Sequence, residues 1–301
     1  MLRNPPERKA PNRYQQFKTN NMKIITLLIG LTLICFQVNA QKIIDVHLHG
    51  DIDPAKQLSS LEKSGVYLVA VSTSWAQQQT YQGNEKLKVL HGLFVPCPNG
   101  KVPYSLQQCF EDGKEWPDIN WVEQQIQKEK IDFLGEVLTQ YYGISMSDSL
   151  MYPYYALAEK YGLPVGIHTG SAGPGHGSPN FKEELGNPLL LKEALQQFPK
   201  LKVWLMHSGG PYASEFMEMM KTYPQLYADI SVLNNPRIIP PEEFAVAMKE
   251  LIDAGLEDRL MFGSDNADIK ATIDAIERLD FLNEAQKRKI YYENAEKFFA
   301  Q

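Results

Sequence analysis

The sequence predicts an α/β fold, a single-domain (β/α)8 TIM barrel. Short β-branched runs alternate with helical patterns from Gln41 onward, as parallel strands joined by crossover helices do. The unit repeats eight times, which favours a closed barrel over an open doubly wound sheet. The glycine-rich dinucleotide fingerprint that such an open sheet often carries after its first strand does not occur here.

Residues 1–40 are expected to be a leader and signal peptide, with Met22 as the start. Met1–Asn21 is polar and basic and has no apolar periodicity, whereas Met22-Lys23 leads into the apolar run Ile24–Phe36 and then Val38-Asn39-Ala40. A short basic region, an apolar core and a small residue at the cut describe an export signal. The run is shorter than the ~20 residues of a membrane span, so no stable span is expected after cleavage. The expected location is periplasmic or secreted. Residues 41–301 then form the barrel domain, close to the ~250 residues usual for this fold. Removing residues 1–40 takes away six of 30 Lys/Arg and one of 36 Asp/Glu, which moves the net charge from −6 to −11. Such a surface repels phosphate backbones, so the expected partner is a small-molecule substrate and not nucleic acid. The oligomeric state is left open.

The first strand is expected over Lys42–His49. Alternate side chains of a strand share a face, so Asp45, His47 and His49 should point one way and Ile44, Val46 and Leu48 the other. Two imidazoles at i and i+2 can converge on one metal ion. The chain holds six His, and two of them stand here, on a strand with an apolar reverse face.

The remaining strands are expected at Val66–Thr73, Gly92–Pro96, Phe133–Leu138, Pro164–Thr169, Lys202–His207, Leu226–Ser231 and Leu260–Ser264. Helices are expected between them at Pro54–Lys63, Gln77–Lys88, Ile119–Lys128, Leu150–Tyr161, Pro188–Phe198, Ser214–Thr222 and Pro241–Ala254, then near 267–279 and 283–299. Residues 99–118 form a long loop after the third strand, on the face where this fold places its active sites. Its aromatic residues, Tyr104, Phe110 and Trp116, could roof a pocket. Cys97 and Cys109 flank the loop, and in an oxidising compartment they could form a disulfide that ties it down.

The polar residues at strand ends carry the functional reading. His49 ends the first strand, Glu136 lies near the end of the fourth, His168 ends the fifth, His207 the sixth and Asp265 the eighth. Each follows an apolar run, and a closed barrel brings these ends to one rim. A lone strand-end His is commonly structural. A set spread over five strands is a metal site. His176, in the loop after the fifth strand, and Arg237, after the seventh, could reach substrate, the latter by bidentate binding of a carboxylate. The alternative for both is a solvated side chain. Trp75, Tyr141 and Tyr142 also follow strands and could line the pocket. His91 is read as structural, at the opposite rim.

His47-Leu48-His49, His168, His207 and Asp265 on these strands resemble the amidohydrolase superfamily of metal-dependent hydrolases. The turn His207-Ser208-Gly209-Gly210 and the ending Ile290-Tyr291-Tyr292-Glu293-Asn294-Ala295 are similar to its "amidohydrolase 2" branch, which includes aminocarboxymuconate-semialdehyde decarboxylase and related hydrolases. The resemblance implies that His47, His49, His168 and Asp265 hold a divalent metal, Zn²⁺ by preference, because nitrogen and carboxylate ligands with an open position suit catalytic zinc. It implies that Asp265 also moves the proton and that His207 orients water or polarises the substrate carbonyl. Glu136 has two readings. Either it supports a His next to a single metal, or it bridges two metals with His207 as a further ligand, as in the TatD-like and phosphotriesterase-like branches.

The expected function is metal-dependent hydrolysis of a small-molecule amide, ester or lactone. The alternative is a non-oxidative decarboxylase of a carboxylated small molecule, for which Arg237 is the candidate carboxylate partner. A non-catalytic metal- or ligand-binding barrel comes third, because both proton-transfer candidates are present.

Overall fold

A computed structural model describes residues 42–171 and 178–300. The expected leader and His176 lie outside the described residues. Eight parallel strands follow one another around a nearly closed barrel in sequence order. They are β1 Ile43–His49, β2 Val66–Thr73, β3 Lys88–Leu93, β4 Phe133–Val137, β5 Val165–His168, β6 Val203–Met206, β7 Tyr227–Asp229 and β8 Leu260–Met261. At the seam between β8 and β1, the Val46 N–H donates to the Phe262 carbonyl (3.0 Å) and the Asp265 N–H to the His47 carbonyl (2.8 Å). Asp45 joins the seam too, since its Oδ1 accepts from the backbone N–H of Ser264 (3.0 Å) and of His47 (3.1 Å).

The outer helices are α1 Pro54–Lys63, α2 Trp75–Gln78, α3 Ile119–Gln127, α4 Tyr152–Tyr161, α5 Lys192–Gln197, α6 Ala213–Thr222, α7 Pro241–Asp253 and α8 Ile269–Glu277. Their starts follow from sequence. Asp53, Asp118 and Asp268 each accept backbone N–H groups of the first turn of α1, α3 and α8, satisfying donors that the helix leaves unpaired. Among the described residues no helix is long and apolar enough to cross a membrane.

Three expectations are corrected. The helix expected over Gln77–Lys88 is only α2, and β3 is displaced to Lys88–Leu93. Gly83-Asn84 breaks the helical pattern: the Asn84 side chain accepts from the N–H of Lys86 (2.8 Å) and Leu87 (2.9 Å) and turns the chain into β3. The helix expected near 283–299 is interrupted by a wide turn at Lys289–Glu293. The strict alternation expected in β1 is broken by register shifts at Ile43/Ile44 and between Asp45 and Leu48. Such a bulge adds a residue to one strand of the pair and re-aims side chains. Ile44 and Val46 therefore join a small apolar cluster with Phe133, Trp204 and Met206, while Leu48 packs in the larger core.

In that small cluster glycines make room for rings. A Cβ at Gly92 would lie 2.3 Å from the Phe133 ring, and one at Gly166 would lie 2.4 Å from the Trp204 ring. The C-terminal helix, Asn294–Phe299, closes this end, with the Phe298 ring packed on Trp204 (5.6 Å) and Tyr227 (4.8 Å).

Candidate metal centre

The opposite ends of the strands carry the polar residues. His47 and His49 come from β1, Glu136 from β4, His168 from the end of β5 and Asp229 from the end of β7. His207 and Asp265 stand in the turns directly after β6 and β8, both with left-handed backbone (φ 63° and 47°). Non-glycine residues pay for that conformation, and it gathers where a side chain must be aimed.

The tautomers are set by partners that can only accept. His47 Nδ1 faces Asp229 Oδ2 at 3.1 Å, so the proton is on Nδ1. Ser231 Oγ gives its own proton to Asp229 Oδ1 (2.6 Å), and can therefore accept one from His207 Nδ1 (3.0 Å). His49 Nδ1 lies 3.3 Å from the Ser72 carbonyl and also contacts the Tyr104 hydroxyl. In the neutral form of each of the three imidazoles, the form that binds a metal, the lone pair is then on Nε2.

Those lone pairs converge with carboxylates. His47 Nε2 and His49 Nε2 are 3.3 Å apart. Asp265 Oδ1 is 3.0 Å from His49 Nε2 and 3.8 Å from His47 Nε2. Glu136 is 3.4 Å from His49 Nε2, 3.8 Å from His47 Nε2 and 3.5 Å from His207 Nε2. Two ring nitrogens this close share a positive charge, either a proton on one of them or a metal ion between them. Four ligands around zinc with bonds of ~2.1 Å have edges of ~3.4 Å, and the observed separations bracket that value. The residues fit a divalent metal. Two overlapping groups offer ligand atoms, His47 with His49 and Asp265, and His47 with Glu136 and His207. His168 is placed as the partner of Glu136, Nδ1 to Oε1 at 2.6 Å, and its Nε2 is buried with no hydrogen-bond partner among the described residues.

The electrostatics say the same. Burial alone would lower the His47 pKa, but Asp229, Asp265 and Glu136 outweigh it and push it up to about 10. Burial works to raise the carboxyls of Glu136 and Asp265. Facing imidazoles, His168 and His207 for Glu136 and His49 and His47 for Asp265, hold both well below the usual carboxylate range. The site favours positive charge at its centre and keeps its acids ionised.

A cavity of about 780 Å³ opens onto this centre. His49, Glu136, His168, His207 and Asp265 line it, and Asp265 is the most open of the acids, its side chain 25 % exposed. Pro103, Tyr104 and Ser105 cover one side. They form the tip of a small hairpin, Lys101 bridging Gln108, whose base carries the Cys97–Cys109 disulfide (Cα–Cα 6.2 Å). Of the aromatic candidates Tyr141 lines the cavity. Trp75 packs on Trp121 instead (4.8 Å), and the Tyr142 hydroxyl donates to Glu115 (3.1 Å). Arg237 is exposed and is not among the lining residues.

Asp229 and Ser231 are the site residues that the sequence reading did not single out. The available signal was a lone acid at the end of the apolar seventh strand, in the same position as the other site residues.

A family model described as amidohydrolase matches residues 127–301, more than half of the chain. The chain belongs to the amidohydrolase family. Family members depend on a metal and act on small molecules, in keeping with the centre and cavity described above. The amidohydrolase chain also resembles solved structures in fold. An uncharacterized TIM-barrel protein from Bordetella bronchiseptica is 19 % identical, with a TM-score of 0.63, over 86 % of this chain and 98 % of that one. A 2,6-dihydroxybenzoate decarboxylase from Rhizobium is 13 % identical (TM-score 0.55), over 86 % and 98 %. An amidohydrolase from Burkholderia multivorans with bound zinc is 13 % identical (TM-score 0.58), over 86 % and 99 %. Among curated proteins none matches in sequence.

Proposed function

We propose that the chain is a metal-dependent hydrolase of a small-molecule amide, ester or lactone, with one Zn²⁺ held by His47, His49 and Asp265, and with Glu136 and His168 adjoining. The observation that carries this reading is the position of Asp265. It is an ionised carboxylate at the convergence of the His nitrogens, and of the two acids that line the cavity, Glu136 and Asp265, it is the more exposed. A divalent ion there supplies Lewis acidity and brings water ionisation towards neutral pH. Asp265 takes up a proton released on the cavity side and returns it to the leaving group. His207, its tautomer held by Ser231, presents Nε2 as an acceptor that orients water. The apolar walls exclude bulk water around the reacting carbonyl.

Decarboxylation of a carboxylated small molecule is the second reading, supported by the fold likeness to the Rhizobium enzyme. A carboxylate-binding Arg beside the metal would support it, and Arg237, the candidate, is not among the cavity residues.

Export of the chain is also proposed, with cleavage near Ala40. The Cys97–Cys109 disulfide supports an oxidising compartment. Mass spectrometry of the N-terminal peptide from fractionated cells checks this, and a chain retaining residues 22–40 in the cytoplasm overturns it.

The test of the activity is metal content per chain on protein purified without chelator, followed by a screen of esters, lactones and amides. About one zinc and hydrolysis of any of these supports the reading. Carbon dioxide release from hydroxybenzoates without hydrolysis transfers it to the decarboxylase alternative. No metal, and no activity on adding Zn²⁺, Mn²⁺ or Co²⁺, overturns both.

A further inference from the structure

We infer that this site selects an uncharged carbonyl substrate with an apolar body and rejects carboxylated ones. The inference rests on the single-ion reading above and concerns the charge and shape of what enters the same cavity.

Among the described residues the charged side chains that line the cavity, its imidazoles apart, are acids. Glu136 and Asp265 line it, and Asp229 lies directly behind His47, buried and hydrogen-bonded to it. Against three ionised carboxylates, one divalent ion leaves the centre with a residual negative charge. No Lys or Arg is among the lining residues of the described chain, and residues 172–177, the rest of the loop after β5, contain none in their sequence. Arg237, the candidate carboxylate partner, is exposed, while its neighbours Ile238 and Ile239 line the cavity. An anionic substrate would therefore be repelled at the floor and find no counter-charge on the walls. In a low-dielectric cleft that repulsion is screened less than at a surface.

The remaining walls are apolar. Leu138, Val232, Leu233, Ile238 and Ile239 line the cavity with the rings of Tyr104 and Tyr141. Ile52, Leu106 and Ile238, on the loops after β1, β3 and β7, are among the large apolar side chains most exposed in the protein (98 %, 69 % and 57 %). They extend the apolar character of the walls to the loops at this end of the barrel. A flat or compact neutral lactone or ester can bury its body on these walls and direct its carbonyl to the polar floor.

The probes are phthalide, a neutral aromatic lactone, and its 5-carboxylate, titrated calorimetrically into the zinc-loaded protein at low and high salt. The expected result is at least tenfold tighter binding of phthalide at low salt, with the gap narrowing as salt rises. Ile238→Arg, which puts a cation at the cavity wall in place of an apolar side chain, should narrow the gap by improving binding of the carboxylate relative to phthalide. Equal or tighter binding of the carboxylate by the unaltered protein overturns the inference, as does binding of neither ligand at millimolar concentration. Binding of phthalide with no hydrolysis keeps the charge selection and counts against the hydrolase reading, so the two fail separately.

Discussion

The carboxylate of Asp229 stands 3.1 Å from Nδ1 of His47, with both side chains fully buried. The same acid accepts the backbone N–H of His207 (3.1 Å) and of Ser231 (3.0 Å), so one side chain at the end of β7 holds both the His47 imidazole of β1 and the turn after β6 that carries His207. A carboxylate behind a ligating His fixes its tautomer and raises its basicity.

Asp229→Asn keeps the size and removes the charge. An amide can also present its NH₂ to Nδ1 and favour the wrong tautomer. Metal affinity is expected to fall ~10- to 100-fold. Competition with a chromogenic chelator measures it, and unchanged affinity would remove Asp229 from the support of the centre.

Asp265→Asn removes the open carboxylate while leaving the fold around it. Turnover is expected to drop by at least ~10²-fold, the range of lost general acid–base catalysis. The check is kcat with metal restored to saturation, so that a weakened site is not mistaken for a lost base.

Tyr104 and the Ser72 carbonyl share the N–H of His49. Tyr104→Phe leaves Ser72 as the partner, so metal retention should change by less than ~10-fold, since the second hydrogen bond persists. The cavity wall changes more than the centre does, and KM should move before metal content does. Parallel chelator competition and steady-state kinetics separate the two.

Replacing Cys97 and Cys109 by Ser opens a loop closed over a sequence separation of 12. The chain-entropy relation gives a loss of about 3 kcal/mol. Chemical denaturation of the oxidised and doubly substituted proteins tests it, and KM should rise in the variant because the hairpin carrying Pro103 and Tyr104 loses its anchor.

His91 provides the pH dependence outside the site. Burial holds its pKa below the ordinary value of 6.5, although Asp132 opposes this. The unfolded chain therefore takes up a proton near pH 6.5 that the folded chain does not. Its stabilising effect is present above that pH and is lost as pH falls below it. His91→Gln should flatten this part of the stability profile between about pH 6.5 and 5. An unchanged difference between Tm at pH 7.5 and at pH 5.5 would count against it.

The strand ends were legible because each site residue interrupts an apolar run, a signal contained within five or six neighbours. His47, His49, Glu136, His168, His207 and Asp265 could be placed on one rim by the barrel topology alone. Asp229 could not be weighed that way, because its meaning lies in a contact with a residue 182 positions away. Arg237 shows the converse. Its chemistry suited a carboxylate, but the direction of its side chain is decided by how the loop after β7 packs. The same holds for Leu48, whose grouping with Ile44 and Val46 is undone by a bulge that no local pattern announces.

The seam that joins Val46 to Phe262 and His47 to Asp265 also has a consequence for the order of synthesis. While the ribosome is still working, β1 has β2 on one side and nothing on the other, so its backbone groups form an open edge. That edge is covered only when β8, Leu260–Met261, has emerged and can pair with it. The nascent chain is therefore dependent on its last strand, and a truncation before β8 would leave a pairing-competent strand exposed alongside an unfinished core.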